Sequence, residues 1–176
     1  LGVALGTMVA NLSSHKRGWD DRWDFFSQWD YNGQQILSKL LRLVDEDTAA
    51  FERIMAAIRL PKGSSEEKAA RKQAMKEATE YAIEVPLEVM RTAYSMFDLL
   101  DAMAKDGNPN SASDTGVGAL CARTAIQGAG MNVRINIQDV ADTPWKNGVL
   151  VEMRQLEEDA ERRCKVIVDQ VESLID

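Results

Sequence analysis

The last stretch of the chain constrains the fold most. Thr143 followed by Pro144 is a helix start, with a hydroxyl at the N-cap and a ring whose fixed φ suits the first turn and whose missing N–H is not needed there. From there to about Leu174, the residues Leu150, Met153, Leu156, Ala160, Cys164, Ile167, Val171 and Leu174 recur every three or four positions. A stripe that long must be covered by other helices along its whole length. It predicts an all-α fold: one multi-helix bundle with long helices.

Other segments carry the same period. Leu37, Leu40, Val44, Phe51, Ile54 and Ile58 predict a helix over 34–58, ended by Leu60-Pro61-Lys62-Gly63. Ser64 and Glu67 form an S-x-x-E capping box that opens the next helix. Pro86 cannot donate to the carbonyl of residue 82, so a break is expected between helices near 65–84 and 86–104. A loop follows over 105–110, then a helix over 111–128 whose Gly116, Gly118, Ala119, Ala122 and Ala125 allow another backbone to come close. Asn132 to Ile137 alternates like a strand; as a helix it would instead put Asn132 and Asn136 on one face. Six of the 11 aromatic residues fall between Ser13 and Gly33, and a short helix covering the core with its rings is preferred there to a stacking wall for a ligand.

A length of 176 residues is one domain's worth, 1–176, and buries enough apolar surface to fold without staples. Cys121 and Cys164 form no C-x-x-C pair and His15 is the single histidine, which argues against a disulfide framework and a zinc site. The cytosol is the expected compartment. The opening 1–14 lacks the basic leader of a secretory signal and is too short to span a bilayer; because Leu1 already lies inside an apolar helical stretch, further residues are expected before it. Asp and Glu number 28 against 21 Lys and Arg, a net charge of −7, which argues against nucleic acid or an anionic membrane as partner. An anionic ligand would need a local basic pocket.

Three clusters could carry chemistry. In Asp45-Glu46-Asp47-Thr48 the helical period turns Asp45 and Glu46 outward but puts Asp47 on the apolar stripe, where a carboxylate must be desolvated or paired. Asp106 to Asp114 combines loop amides, Asn108 and Asn110, with a helix start, and Ser111 and Asp114 have capping-box spacing. Free N–H groups there could equally receive a polar or anionic ligand. Asn132-Val133-Arg134-Ile135-Asn136 holds a cation between amides, for which a solvated Arg is the ordinary outcome. No G-x-G-x-x-G, P-loop or nucleophile elbow is present.

LVDEDTAAFERIMAAIRLPK (43–62), GNPNSASDTGVGALCARTA (107–125) and NVRIN (132–136), with GTMVANLS (6–13), resemble the cyclodeaminase domain of formiminotransferase-cyclodeaminase, a family that includes stand-alone methenyltetrahydrofolate cyclohydrolases. The resemblance covers most of the chain. A Gly/Ser-rich stretch expected before the first helix is absent, and the aromatic segment 19–31 departs from the pattern. What the resemblance implies is an all-α fold forming an intimate homodimer, with a possible formiminotransferase as partner or fused domain. It also implies a reaction on tetrahydrofolate, with polyglutamate-tailed substrate, that uses no metal or redox cofactor. On that reading Asn108, Asn110, Ser111 and Asn132 hold the pterin and Arg134, Lys62 or Arg59 the glutamate tail. Asp114, its pKa lowered by the helix N-terminus, is the first choice as base; Asp47, raised by desolvation, is the acid or a tuning partner. Cyclodeaminase is preferred to cyclohydrolase, and a non-catalytic helical or folate-holding module ranks third.

Overall fold

A computed structural model describes residues 1–175. It contains α1 (Gly2–Ser14), α2 (Trp23–Arg59), α3 (Ser65–Tyr94), α4 (Met96–Asp106), α5 (Ala112–Ile137) and α6 (Pro144–Ile175), with short 3₁₀ turns at Asp20–Arg22 and Pro109–Ser111. Among the described residues there is no strand, and no helix is long and apolar enough to cross a membrane.

α6 meets the expectation from its sequence: Met153, Ala160, Cys164, Ile167 and Val171 are buried against the other helices. The core they join holds Phe97, Leu99, Leu100 and Met103 of α4, Leu87 and Met90 of α3, and Ala119, Ala122, Ile126 and Val133 of α5. α1 runs antiparallel to α5, since Gly2 lies against Gly118 and Ala122 while Ser13 meets Asn108 at the other end. A Cβ at Gly2 would stand 2.8 Å from the Gly118 carbonyl oxygen, so the small residues expected to admit a close neighbour do so within the chain. Gly18, at φ 86°, turns the chain after α1.

Three boundaries differ from the sequence reading. The helix expected over 34–58 begins at Trp23, so the aromatic segment contributes its first turns rather than a separate short helix. Phe26 is fully buried, with Trp19 stacked on it at 5.7 Å and Phe25 edge-on at 5.2 Å, which makes this cluster part of the packing. Asn132 to Ile137 is helical, the end of α5. The break expected at Pro86 is absent, and α3 continues to Tyr94 before the chain turns at Ser95. The reason is a side chain from elsewhere: Asn136 Nδ2 donates to the Ala82 carbonyl at 2.8 Å, the acceptor that Pro86 cannot serve.

Candidate active site

The stripe expected on α2 is divided: Leu37, Leu40 and Ile54 pack partly buried against the core, whereas Val44, Phe51 and Ile58 are exposed. The buried positions are Leu43, Ala50 and Ala57, while Val44 and Phe51 are 64% and 65% exposed. Asp47 lies on this outer side and is exposed, so in the single chain it lacks the desolvation expected of it. It nevertheless faces a concavity. Where α1 no longer lies between them, α2 and α5 border an open groove of about 550 Å³, with Leu43, Asp47 and Thr48 on one side, Gly128 and Asn132 on the other, and Pro86 and Val89 at the bottom.

Gly128 is unusual on that wall. A glycine inside a helix costs about 1 kcal/mol against alanine, yet a Cβ at Gly128 would meet nothing within 4 Å. No neighbour within the chain requires the Cβ to be missing there. Farther along α5, Asn136 is committed to the Ala82 carbonyl, and Arg134 forms an ion pair with Glu157 of α6 that crosses Gly130. Arg134 is therefore drawn toward α6, with one of its guanidinium nitrogens on Glu157.

The second cluster sits at the opposite end of α5. The Asn108 N–H donates to Ser13 Oγ at 2.8 Å, and its side-chain oxygen accepts from the Asn110 N–H at 3.3 Å, so these groups shape the loop. Arg22 clamps the same end through Asp106 at 2.8 Å. The capping box expected of Ser111 and Asp114 does not form. Ser111 is the buried N-cap of α5, but at φ −113° and ψ 17° it leaves the extended conformation that would aim its hydroxyl at the helix, and it makes no capping bond. Asp114 is half-buried in the first turn. Eighteen residues of helix separate it from Asn132, about 27 Å at 1.5 Å per residue. One chain thus keeps the Asp114 cluster apart from the Asp47 groove.

Lys62 belongs to a third place. With Lys68, Arg71 and Lys72 it surrounds Met75 in a hollow of about 340 Å³ at the α2–α3 turn. Among the described residues none of these four cations forms an ion pair, because the nearby acid Glu67 is occupied in accepting from the Gly63 and Ser64 N–H groups. Lys68, Arg71 and Lys72 escaped the sequence reading, although their spacing on a capped helix was visible.

Comparison with known proteins decides the family. The model of the formiminotransferase-cyclodeaminase family matches residues 1–155. The chain belongs to that family. It is 31% identical to a methenyltetrahydrofolate cyclohydrolase of Methylorubrum extorquens, over 99% of this chain and 84% of that protein. It is also 31% identical to the formimidoyltransferase-cyclodeaminase of Sus scrofa, over 98% of this chain but 32% of that protein, so it spans about a third of the length of such relatives. The crystal structure of a formiminotetrahydrofolate cyclodeaminase from Thermotoga maritima superposes with a TM-score of 0.75 at 26% identity, covering 98% of this chain and 80% of the other.

This member of the cyclodeaminase/cyclohydrolase family also holds a charge network that sequence reasoning passed over. Arg91 of α3 binds Glu152 of α6 through two nitrogens, at 2.6 and 2.8 Å, and also pairs with Glu84 and Glu88. The hydrogen bonds from Arg91 hold the Glu152 carboxyl below its usual range. Glu84, Glu88 and Arg91 share one helical face, which was the available signal.

Proposed function

We propose that the chain is a formiminotetrahydrofolate cyclodeaminase. The observation that carries this reading, within the family, is the meeting of Asp47, Thr48 and Asn132 around one open groove beside the bare backbone of Gly128. The reaction asks little more of a protein than positioning and proton transfer. N10 attacks the carbon of the protonated formimino group on N5; the new C–N10 bond forms, one proton passes from N10 to the amino nitrogen, and the C–N bond to that amine breaks. Ammonia leaves and the 5,10-methenyl cation remains, with no change of oxidation state. A carboxylate within reach of both nitrogens can take the first proton and deliver it to the second, and Asp47 is the groove's carboxylate. Asn132, exposed beside it, offers the amide that suits a pterin edge.

The glutamate tail has a natural course. Twelve residues of α2 lead from Asp47 to Arg59, about 18 Å, and just beyond lies the cationic hollow of Lys62, Lys68, Arg71 and Lys72. We assign the tail of a polyglutamylated folate to that hollow. The cyclohydrolase reading keeps a specific support, since the chain matches 84% of that relative's length. Purified protein given 5-formiminotetrahydrofolate should release ammonia as absorbance of the methenyl product appears. Hydrolysis of 5,10-methenyltetrahydrofolate without ammonia release from the formimino substrate would replace the first reading by the second. Asp47→Asn should abolish turnover while folate binding persists.

A further inference from the structure

Taking the chemistry of the groove from the proposed function, we infer that Asn136 is a positioning residue: by holding the carbonyl that Pro86 leaves free, it fixes the register of α5 on α3 and sets Asn132 across the groove from Asp47. Pro86 has no N–H to give the Ala82 carbonyl, so that acceptor stays open to a donor from outside the helix. Ala82 and Pro86 are both buried, and a carbonyl left there without a partner is costly. Asn136 Nδ2 reaches it at 2.8 Å. Asn136 itself is not among the residues lining the groove, so any effect it has on a bound folate passes through its neighbours.

Those neighbours keep step on the two helices. α3 and α5 run antiparallel here: four residues on from Ala82 is Pro86, four residues back from Asn136 is Asn132, and both line the groove. Three residues farther in the same directions, Val89 and Ala129 line it too. A slide of α5 by one turn, about 5.4 Å, would put Gly128 or Asn136 where Asn132 stands over Pro86.

Apolar packing resists such a slide weakly. The α5 wall of the groove is made of Ala125, Gly128 and Ala129 beside Asn132, small residues whose ridges are shallow. Among the described residues no other side-chain hydrogen bond and no ion pair joins α3 to α5; Arg91 and Arg134 both reach α6 instead. In packed helices a single directional polar contact of this kind fixes register. The cost of a proline inside α3 is thereby turned to use, because the freed carbonyl is the mark that α5 finds.

A double-mutant cycle separates positioning from stability. Pro86→Ala gives the Ala82 carbonyl a helical N–H, so Asn136 is no longer needed to satisfy it. Asn136→Ala should lower the thermal midpoint by several degrees in the wild-type background and by little in the Pro86→Ala background. Its loss of kcat/KM for the folate substrate, measured well below the midpoints, should be about tenfold or more in both backgrounds. A kcat/KM loss that vanishes together with the midpoint cost makes Asn136 purely structural and overturns the inference, as does an Asn136→Ala chain with wild-type turnover. A midpoint cost that is equal in both backgrounds overturns the link to the Pro86 carbonyl. If Asn136→Ala alone does not fold, the kcat/KM of Pro86→Ala against that of the double variant decides, and equal values overturn the inference. A wild type active on neither folate refutes the proposed function instead. The register is then read by backbone hydrogen exchange, which also decides if Pro86→Ala is itself inactive. The amides of 129–137 should exchange faster in the double variant than in Pro86→Ala, with α3 equally protected in both. Equal exchange along α5 overturns the inference.

Discussion

α6 and the middle of α2 carry the same sequence signal and meet different fates. On α6 the apolar positions at three- and four-residue spacing are all drawn into the bundle, from Met153 to Val171. On α2 the helix rotates so that Leu43, Ala50 and Ala57 face inward, while Val44, Phe51 and Ile58 face out. A hydrophobic period states that a stripe is to be covered, not by what. On α6 the cover comes from the same chain. On α2 Leu43, Ala50 and Ala57, with Leu37, Leu40 and Ile54 beside them, satisfy the chain's own packing, and Val44, Phe51 and Ile58 remain for something else.

The contrast breaks most easily at Ile167. Ile167→Ala on α6 should cost about 2–5 kcal/mol of stability, whereas Phe51→Ala on α2 should stay within about 0.5 kcal/mol for the isolated fold while weakening self-association. Chemical denaturation at low protein concentration, paired with sedimentation, measures both. A Phe51→Ala chain that unfolds as readily as Ile167→Ala would make α2 an ordinary core helix. Next in size is the end of α5, where two asparagines four residues apart do different work. Asn136→Ala leaves the Ala82 carbonyl without its partner and should cost about 1–3 kcal/mol; Asn132→Ala should leave the thermal midpoint alone and weaken folate binding.

A smaller effect is expected at the seam between α3 and α6. Arg91 holds the Glu152 carboxyl below its ordinary 4.5 in the fold, so the unfolded chain binds the proton more readily. This contribution is present above that value and is lost as pH falls through the lower folded value. Because Glu152 is partly exposed, solvent screens the pair. Thermal midpoints measured from pH 6 to pH 3 should therefore fall slightly less steeply for Glu152→Gln than for the wild type. The smallest effect on the fold belongs to Lys68→Ala and Lys72→Ala, which should leave stability unchanged. These variants should reduce the affinity advantage of polyglutamyl over monoglutamyl folate, and in the wild type that advantage should shrink with added salt. Equal affinities for both forms at low salt would remove the tail from the hollow.

Most of the architecture was legible in the sequence because helix periods, the Ser64–Glu67 box and the Thr143-Pro144 start are local signals. What misled was non-local. Pro86 reads as a break until Asn136, 54 residues away, supplies the missing donor. Asp47 reads as desolvated until the rotation of α2 is known. Of the candidate site, Asp47 and Asn132 share the groove, whereas Arg134 pairs with Glu157 on α6, the Asn108 side-chain oxygen and the Asn110 N–H meet within their own loop, and Lys62 joins a cationic cluster whose other members were not singled out. Ion pairs and loop bonds of that kind depend on which faces meet, and no window of sequence contains both partners.

The bond from Asn136 to the Ala82 carbonyl also has a bearing on the order in which the molecule assembles. Until α5 docks, the chain around Pro86 has a carbonyl that only water can satisfy, so the two halves of α3 can form separately before they act as one rod. Completing the rod is a long-range event despite its local appearance, and such contacts are closed late because loop entropy must be overcome first. On a ribosome the N-terminal helices would emerge with α3 still hinged, and the hinge would lock only after the end of α5 had left the exit tunnel.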